Sequence, residues 1–232
     1  MTVPLARLAG LLADPSRAAF CLALLDGRAW TAGELARHAG IAPSTASAHV
    51  TLLVDGGVLA DERQGRHRYV RLADPEMAAL IEELAVRAEG LAEVRPPQGL
   101  REVTRAKAIA RARTCYDHLA GRLGVAITGA MLQRRLLTGA GFAFTDAGLV
   151  WLSGLDIDVA ALDKAKRPFA RQCLDWTERR PHLAGAAGAA LCSQAFSRQW
   201  VERIGGGRAV RVTPEGRNAF AAQLGLDEKQ WS

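Results

Sequence analysis

From residue 43 to residue 55 the chain reads Pro-Ser-Thr-Ala-Ser-Ala-His-Val-Thr-Leu-Leu-Val-Asp, with polar groups where one face of a helix would present them. Ser44, Thr45, Ser47 and Thr51 carry hydroxyls that donate and accept, so they suit base edges or phosphate oxygens in a major groove. Ala48 offers a methyl contact to thymine. His49 can donate to either kind of group, or else hydrogen-bond a neighbouring turn. Val50, Leu52 and Leu53 are assigned to the core side. A little further on, Arg63, Gln64, Arg66 and Arg68 crowd around His67, and a positive loop tip of this kind positions a protein on phosphates while reading little sequence.

A second chemistry belongs to the thiols and imidazoles. Cys115-Tyr116-Asp117-His118 sets Cys115 and His118 on one face if the segment is helical, a half-site for zinc or another soft metal. Cys173 and His182 complete a Cys2His2 set by type, although a nine-residue offset is no recognised finger spacing. The alternative is that these cysteines, like Cys21 on the apolar face of its helix, are small buried apolar groups. In the dense segment 171–182, Trp176 is placed to stack and Arg179 or Arg180 to hold an anion, lining an effector pocket. A capped helix end with ordinary ion pairs is the other reading. No nucleotide-binding glycine loop, His-Glu-x-x-His or Gly-x-Ser-x-Gly occurs, and Asp175 with Glu178 lacks a nucleophile signature, so the chain reads as no enzyme.

These residues need elements to hold them. Asp14-Pro15 is a helix start, followed by Ala18, Cys21, Leu22 and Leu25 at helical spacing and closed by Asp26-Gly27. Thr31-Ala32-Gly33-Glu34 matches a capping box for a helix reaching His38, and Gly40 leads into the helix 43–55. Two short helices joined by a tight glycine-containing turn form a helix-turn-helix. Residues 58–63 and 67–72 then read as a hairpin around Gln64-Gly65-Arg66, the wing. Residues 76–94 read as an amphipathic helix with Met77, Leu80, Ile81, Leu84 and Leu91 inward and the glutamates outward.

Arg95-Pro96-Pro97-Gln98-Gly99 breaks helix and marks a joint. The expected division is 1–94 for DNA binding and dimerisation, 95–100 for the linker and 101–232 for a sensor or assembly domain. Beyond the joint the chain echoes itself over about 115–157 and 179–228. His118-Leu119-Ala120-Gly121 returns as His182-Leu183-Ala184-Gly185, and Thr145-Asp146-Ala147-Gly148 as Thr213-Pro214-Glu215-Gly216. Each copy reads as helix, ribbon, helix, with Thr145 and Thr213 as caps and the twin histidines tying loops together. The basic run Arg101, Arg105, Lys107, Arg111 and Arg113 reads as a solvated helix face or a track for flanking phosphates. The fold class expected is mainly α with small β-hairpins: an N-terminal winged helix-turn-helix and a C-terminal domain of two repeated winged-helix-like units.

Bulk properties agree. At 232 residues and 49% apolar the chain can build one large core or two small ones. No run of about 18 apolar residues exists, and four scattered cysteines argue for reduced thiols, so a soluble cytoplasmic protein without a leader is expected. The net charge of +6 divides as +1 over residues 1–75, −3 over 76–98 and +8 over 99–232, which favours an anionic partner. A solvated arginine-rich surface would look the same.

The residues Leu12-Ala13-Asp14-Pro15-Ser16-Arg17, Glu34-Leu35-Ala36, the helix Pro43 to Leu53, Gly56-Gly57-Val58-Leu59, and the wing Arg63-Gln64-Gly65-Arg66 leading to Tyr69-Val70-Arg71-Leu72-Ala73-Asp74-Pro75 resemble the ArsR/SmtB family of winged-helix repressors. The resemblance spans about residues 5–90. It implies a homodimer built from the helix 76–94 and the first helix (Leu5, Leu8, Leu11, Leu12), reading double-stranded DNA with the helix 43–55. It also implies metal sensing, but the family's thiol positions fall on Thr31 and Gly33, and no histidine lies between His67 and His118. The usual metal sites are absent. The expected function is a homodimeric transcription repressor released by an unidentified effector, or alternatively an architectural, nucleoid-type DNA-binding protein.

Overall fold

The computed structural model describes residues 4–65, 67–91, 99–139, 141–205 and 207–232, with backbone alone at 89–91 and 100–102. Expectations that rest on Arg66, on the helix end at 92–94 and on the joint at 95–98 lie outside the described residues. The chain folds as two compact units, Met1–Arg87 and Ala88–Ser232.

In the first unit, α1 (Pro4–Leu12) precedes α2 (Pro15–Leu24), whose first turn is capped by Asp14 accepting from the amides of Ser16 and Arg17 at 2.9 and 3.0 Å. The two-residue strand β1 (Trp30–Thr31) leads into α3 (Ala32–Ala39). The capping box is formed: Glu34 N donates to Thr31 Oγ1 at 3.3 Å, and Thr31 N to the Glu34 carboxylate at 2.7 Å. Gly40 closes the helix at φ 67°, a left-handed conformation open to glycine, and α4 (Pro43–Asp55) follows. Next come β2 (Leu59–Gln64), β3 (His67–Leu72) and α5 (Pro75–Leu91). Strand β3 lies between β1 and β2, both antiparallel to it, with Leu59 opposite Leu72 and Gln64 opposite His67. Gln64 therefore ends a strand, one residue later than expected. Strand β1 had no counterpart in the sequence reading, because two residues leave no period to read.

Four core assignments change, and one of them is Leu84 of α5, expected inward and 46% exposed. Leu52 is 50% exposed, since the inner row of α4 runs Ala46, Val50, Leu53 at helical spacing and Leu52 lies one residue off it. Leu22 is likewise exposed, and Phe20 fills the core of α2 instead. Glu82, expected outward, is buried because it shares the inner row of α5 with Ala78 and Ile81.

The second unit contains α6 (Leu100–Arg111), β4 (Arg113–Cys115), β5 (His118–Ala120), α7 (Gly121–Gln133), α8 (Asp146–Gly154) and α9 (Val159–Asp163). It continues with β6 (Arg171–Leu174), β7 (Pro181–Ala184), α10 (Gly185–Ser197), β8 (Val201–Arg203), β9 (Val210–Val212) and α11 (Pro214–Leu224). The two stretches run in the same order: hairpin, helix, ribbon, capped helix. The first ribbon is a single bridge between Leu137 and Phe144; the second is the ladder β8–β9.

Both final helices start alike. Thr145 Oγ1 accepts from Gly148 N at 3.1 Å and Thr213 Oγ1 from Gly216 N at 2.9 Å, while each hydroxyl donates back, to Arg135 O and Gln199 O, at 2.7 Å. The glycine three residues after the threonine is needed for close approach. A Cβ there would sit 2.1 Å from Leu136 O in the first copy and 2.0 Å from Trp200 O in the second. The core between the copies is apolar, with Leu123, Met131, Phe142, Phe220 and Trp231 at its centre.

Candidate DNA-reading surface and a buried Cys2His2 cluster

Helix α4 divides cleanly. Ala46, Val50 and Leu53 are buried, and Ser44, Thr45, Ser47, Ala48 and Thr51 are exposed. His49 turns away from that exposed row toward α2. Its ring lies 3.7 Å from the Asp14 carboxylate, 3.5 Å from Arg17 Nη1, and edge-on to Phe20. On the wing, Arg63, Gln64 and His67 are exposed at the loop end of the ladder. Arg68 points along the sheet: Nε meets Asp61 Oδ2 at 2.6 Å and Nη1 donates to Thr51 Oγ1 at 3.3 Å. Arg68 thus ties the wing to α4.

The second unit brings Cys115, His118, Cys173 and His182 together, with their ligand atoms all within 4.8 Å of one another and all four residues buried. The expectation of a helical half-site is corrected. Cys115 and His118 are directly opposite each other on the hairpin β4–β5, and Cys173 and His182 are directly opposite on β6–β7. Facing residues of an antiparallel pair project to the same side, so register and not sequence offset decides who meets. The nine-residue separation in the second copy is a longer hairpin loop and nothing more. The two sulfurs are 3.9 Å apart, and the two imidazoles stack with centroids 5.0 Å apart at 27°. The copies interlock: Gly188 of α10 lies against His118, and Gly124 of α7 against His182.

Electrostatics separate these thiols from the others. Burial pushes the Cys21 and Cys192 thiols up to about 12, as expected of small apolar fillers. Cys173 moves the other way: the Cys115 thiol against it, helped by the two imidazoles, outweighs its burial and draws it well below the usual thiol range. Burial also holds His182 below its ordinary value, hence neutral, and neither of its ring nitrogens makes a hydrogen bond of good geometry.

A carboxylate backs each histidine. Asp117 Oδ1 is 3.3 Å from His118 Nδ1, and Asp175 Oδ2 is 3.9 Å from His182 Nδ1. Each carboxylate stands two residues after its cysteine, a Cys-x-Asp pattern in both copies that the sequence reading passed over. Each is also paired with an arginine: Asp117 with Arg167 at 2.6 Å, Asp175 with Arg113 at 2.8 Å. Burial alone would raise both carboxyls. For Asp117 the contacts of His118 and Arg167 prevail; for Asp175 Arg113, the Thr177 hydroxyl and the amides of Glu178 and Gly121 do, and both stay below the usual range.

Arg113 departs from the basic helix face expected for it and is fully buried. The helix ends at Arg111, so Arg113 enters β4 pointing inward, with its guanidinium 4.8 Å over Trp176. Trp176 stacks within the protein, and Arg179 is exposed at φ 52° beyond it.

A helix-turn-helix domain model matches residues 12–62. The HTH-type transcriptional regulator YdfF of Bacillus subtilis is 40% identical over 228 residues, covering 97% of this chain and 99% of that protein. The HTH-type transcriptional regulator CmtR of Mycobacterium tuberculosis is 40% identical over 80 residues, 34% of this chain and 67% of its own. Among solved structures, the homodimeric winged helix-turn-helix domain of a possible ArsR-family regulator from Mycobacterium bovis is 27% identical, covers 41% of this chain and 88% of its own, and has a TM-score of 0.36. No described helix is long and apolar enough to cross a membrane. With a helix-turn-helix braced by a three-stranded wing sheet and a relative matched end to end, the chain belongs to the ArsR/SmtB-type winged helix-turn-helix transcription regulators.

Proposed function

We propose that the chain is a homodimeric repressor that reads a two-fold operator with α4 and its wing and is released by an effector acting on the second unit. The observation that carries the reading is the row Ser44, Thr45, Ser47, Ala48 and Thr51, which stands exposed on a helix whose other side is core. Hydroxyls and a methyl on such a row match the donors, acceptors and thymine methyls of a major groove. His49 serves this reading as a brace to α2. Arg63 and Arg66 serve as phosphate contacts, and Arg68 fixes the angle of the wing. The two copies of the second unit, each a helix, ribbon and capped helix, read as degenerate winged-helix-like units.

Footprinting on duplexes selected by the chain from a random library tests this. A short site with two-fold symmetry and half-sites about 10 base pairs apart is expected. Continuous, strongly salt-sensitive coating of any duplex would replace the repressor with the architectural alternative. The wing variant Arg66→Ala is expected to weaken binding to all sequences alike and to lower the magnitude of the log–log salt slope by about 1. An unchanged slope removes that residue from the interface.

Dimerisation is supported by α1, which buries none of its residues and leaves Leu5 73% exposed, and by Leu84 of α5, exposed at 46%. Apolar faces left in water favour a partner surface. Sedimentation equilibrium is expected to give a dimer at micromolar concentration, and Leu5→Asp to shift it toward monomer. A wild-type monomer under those conditions defeats the dimer.

A further inference from the structure

We propose that Cys115, His118, Cys173 and His182 bind one tetrahedral divalent d10 cation, zinc above all, which fastens the two copies of the second unit to each other. This inference is independent of the DNA-binding reading.

Three observations converge on it. The donor set is two sulfurs and two imidazoles, the combination that selects tetrahedral zinc over harder cations. The spacing fits: Zn–S bonds of about 2.3 Å at the tetrahedral angle set two sulfurs about 3.8 Å apart, and these sulfurs are 3.9 Å apart. The surroundings fit: Asp117 holds Nδ1 of His118 at 3.3 Å, which leaves the other ring nitrogen to act as ligand, and the Asp175 carboxylate lies 3.9 Å from Nδ1 of His182.

Charge sharpens the argument. Two thiolates balance a dication, so the filled site is neutral and suits the interior. His182, buried at 0% exposure with both ring nitrogens lacking a sound hydrogen bond, acquires a partner when the cation binds. Binding releases the protons carried by the thiols to solvent. Four buried protein ligands leave no position for substrate or water, the arrangement of a structural site. The ligands come in pairs from β4–β5 and β6–β7, so the cation joins what the sequence places 58 residues apart, Cys115 and Cys173. All four ligands belong to the second unit, whereas Thr31 and Gly33, where the family's thiol site would fall, belong to the first.

The test uses the full chain purified without affinity tag or chelator. Elemental analysis is expected to give about one zinc per chain, and X-ray absorption at the zinc edge two sulfur neighbours at about 2.3 Å and two nitrogens at about 2.0 Å. The reduced, chelator-stripped chain titrated with Co2+ is expected to develop the intense visible bands of a tetrahedral site with a thiolate charge-transfer band. Cys173→Ser and His182→Gln are expected to lose that spectrum, and Cys21→Ser and Cys192→Ser to keep it. Because the first two substitutions lie in a core, the wild-type arm decides alone. Wild-type chain with neither stoichiometric metal nor a tetrahedral Co2+ spectrum overturns the site, and so does an edge spectrum without two sulfurs. A Cys115–Cys173 disulfide in the chain as isolated overturns it as well.

Discussion

Replacing Arg113 with methionine is expected to destabilise the second unit by about 3 kcal/mol, near the lower end of the range for breaking a buried ion pair. Arg113 and Asp175 are both fully buried, and methionine leaves the carboxylate without its countercharge. The variant also loses the guanidinium bonds to Ile109 O at 3.1 Å and to the Thr177 hydroxyl at 3.2 Å, and the stacking on Trp176. Asp175 keeps the donors Gly121 N, Thr177 N, Thr177 Oγ1 and Glu178 N, which is why the loss stays low in the range. Urea unfolding followed by tryptophan fluorescence measures it. Four of the five tryptophans, all but Trp30, lie in the second unit, so the signal reports mainly that transition. Arg111→Met, at an exposed position of α6, is the control and should stay within about 0.5 kcal/mol. Adding Asp175→Asn should recover part of the loss by removing the orphaned charge. A single-variant loss no larger than the control would show that the pair contributes nothing net.

The same pair shows where sequence reasoning stops. Local signals carried the first unit well: the Asp14 cap, the capping box of Thr31 and Glu34, the glycine stops and the wing all depend on residues a few positions apart. Errors there were errors of phase, as at Leu52, where one residue of offset exchanges core for surface. In the second unit the repeat was legible, because Thr-x-x-Gly and His-Leu-Ala-Gly recur, but its meaning was not. Two partners of Asp175, Arg113 and Gly121, come from β4 and the start of α7, more than fifty residues away in sequence. Cys115 and His118 share a face on a helix as well as across a tight hairpin, so composition named the right four residues while spacing suggested the wrong element. The missed clue was the carboxylate two residues after each cysteine. A duplicated Cys-x-Asp with a duplicated histidine specifies a two-fold arrangement better than any single spacing does.

Substituting glutamate for Ser47 is expected to lower affinity for the selected operator by at least about 100-fold, equivalent to about 2.7 kcal/mol. Ser47 is exposed on α4 between the buried Ala46 and the exposed Ala48, so the change leaves the core intact and the unfolding midpoint should scarcely move. At the DNA it would place a carboxylate among phosphates and base acceptors, where juxtaposed like charges cost several kcal/mol. The loss should extend to non-specific duplex, since repulsion by the phosphate backbone does not depend on sequence. Ser47→Ala separates the two contributions. It removes one hydrogen bond without adding charge, so its effect should be about tenfold and confined to the selected site. Glu62 supplies the internal comparison: it is an existing carboxylate on β2, exposed and paired across the ladder with Tyr69. If phosphates pass along the wing, Glu62→Gln should strengthen binding to every duplex while Ser47→Glu weakens it. Should Ser47→Glu bind as well as the parent chain, α4 is not the helix that enters the groove, and the repressor reading loses the observation it stands on.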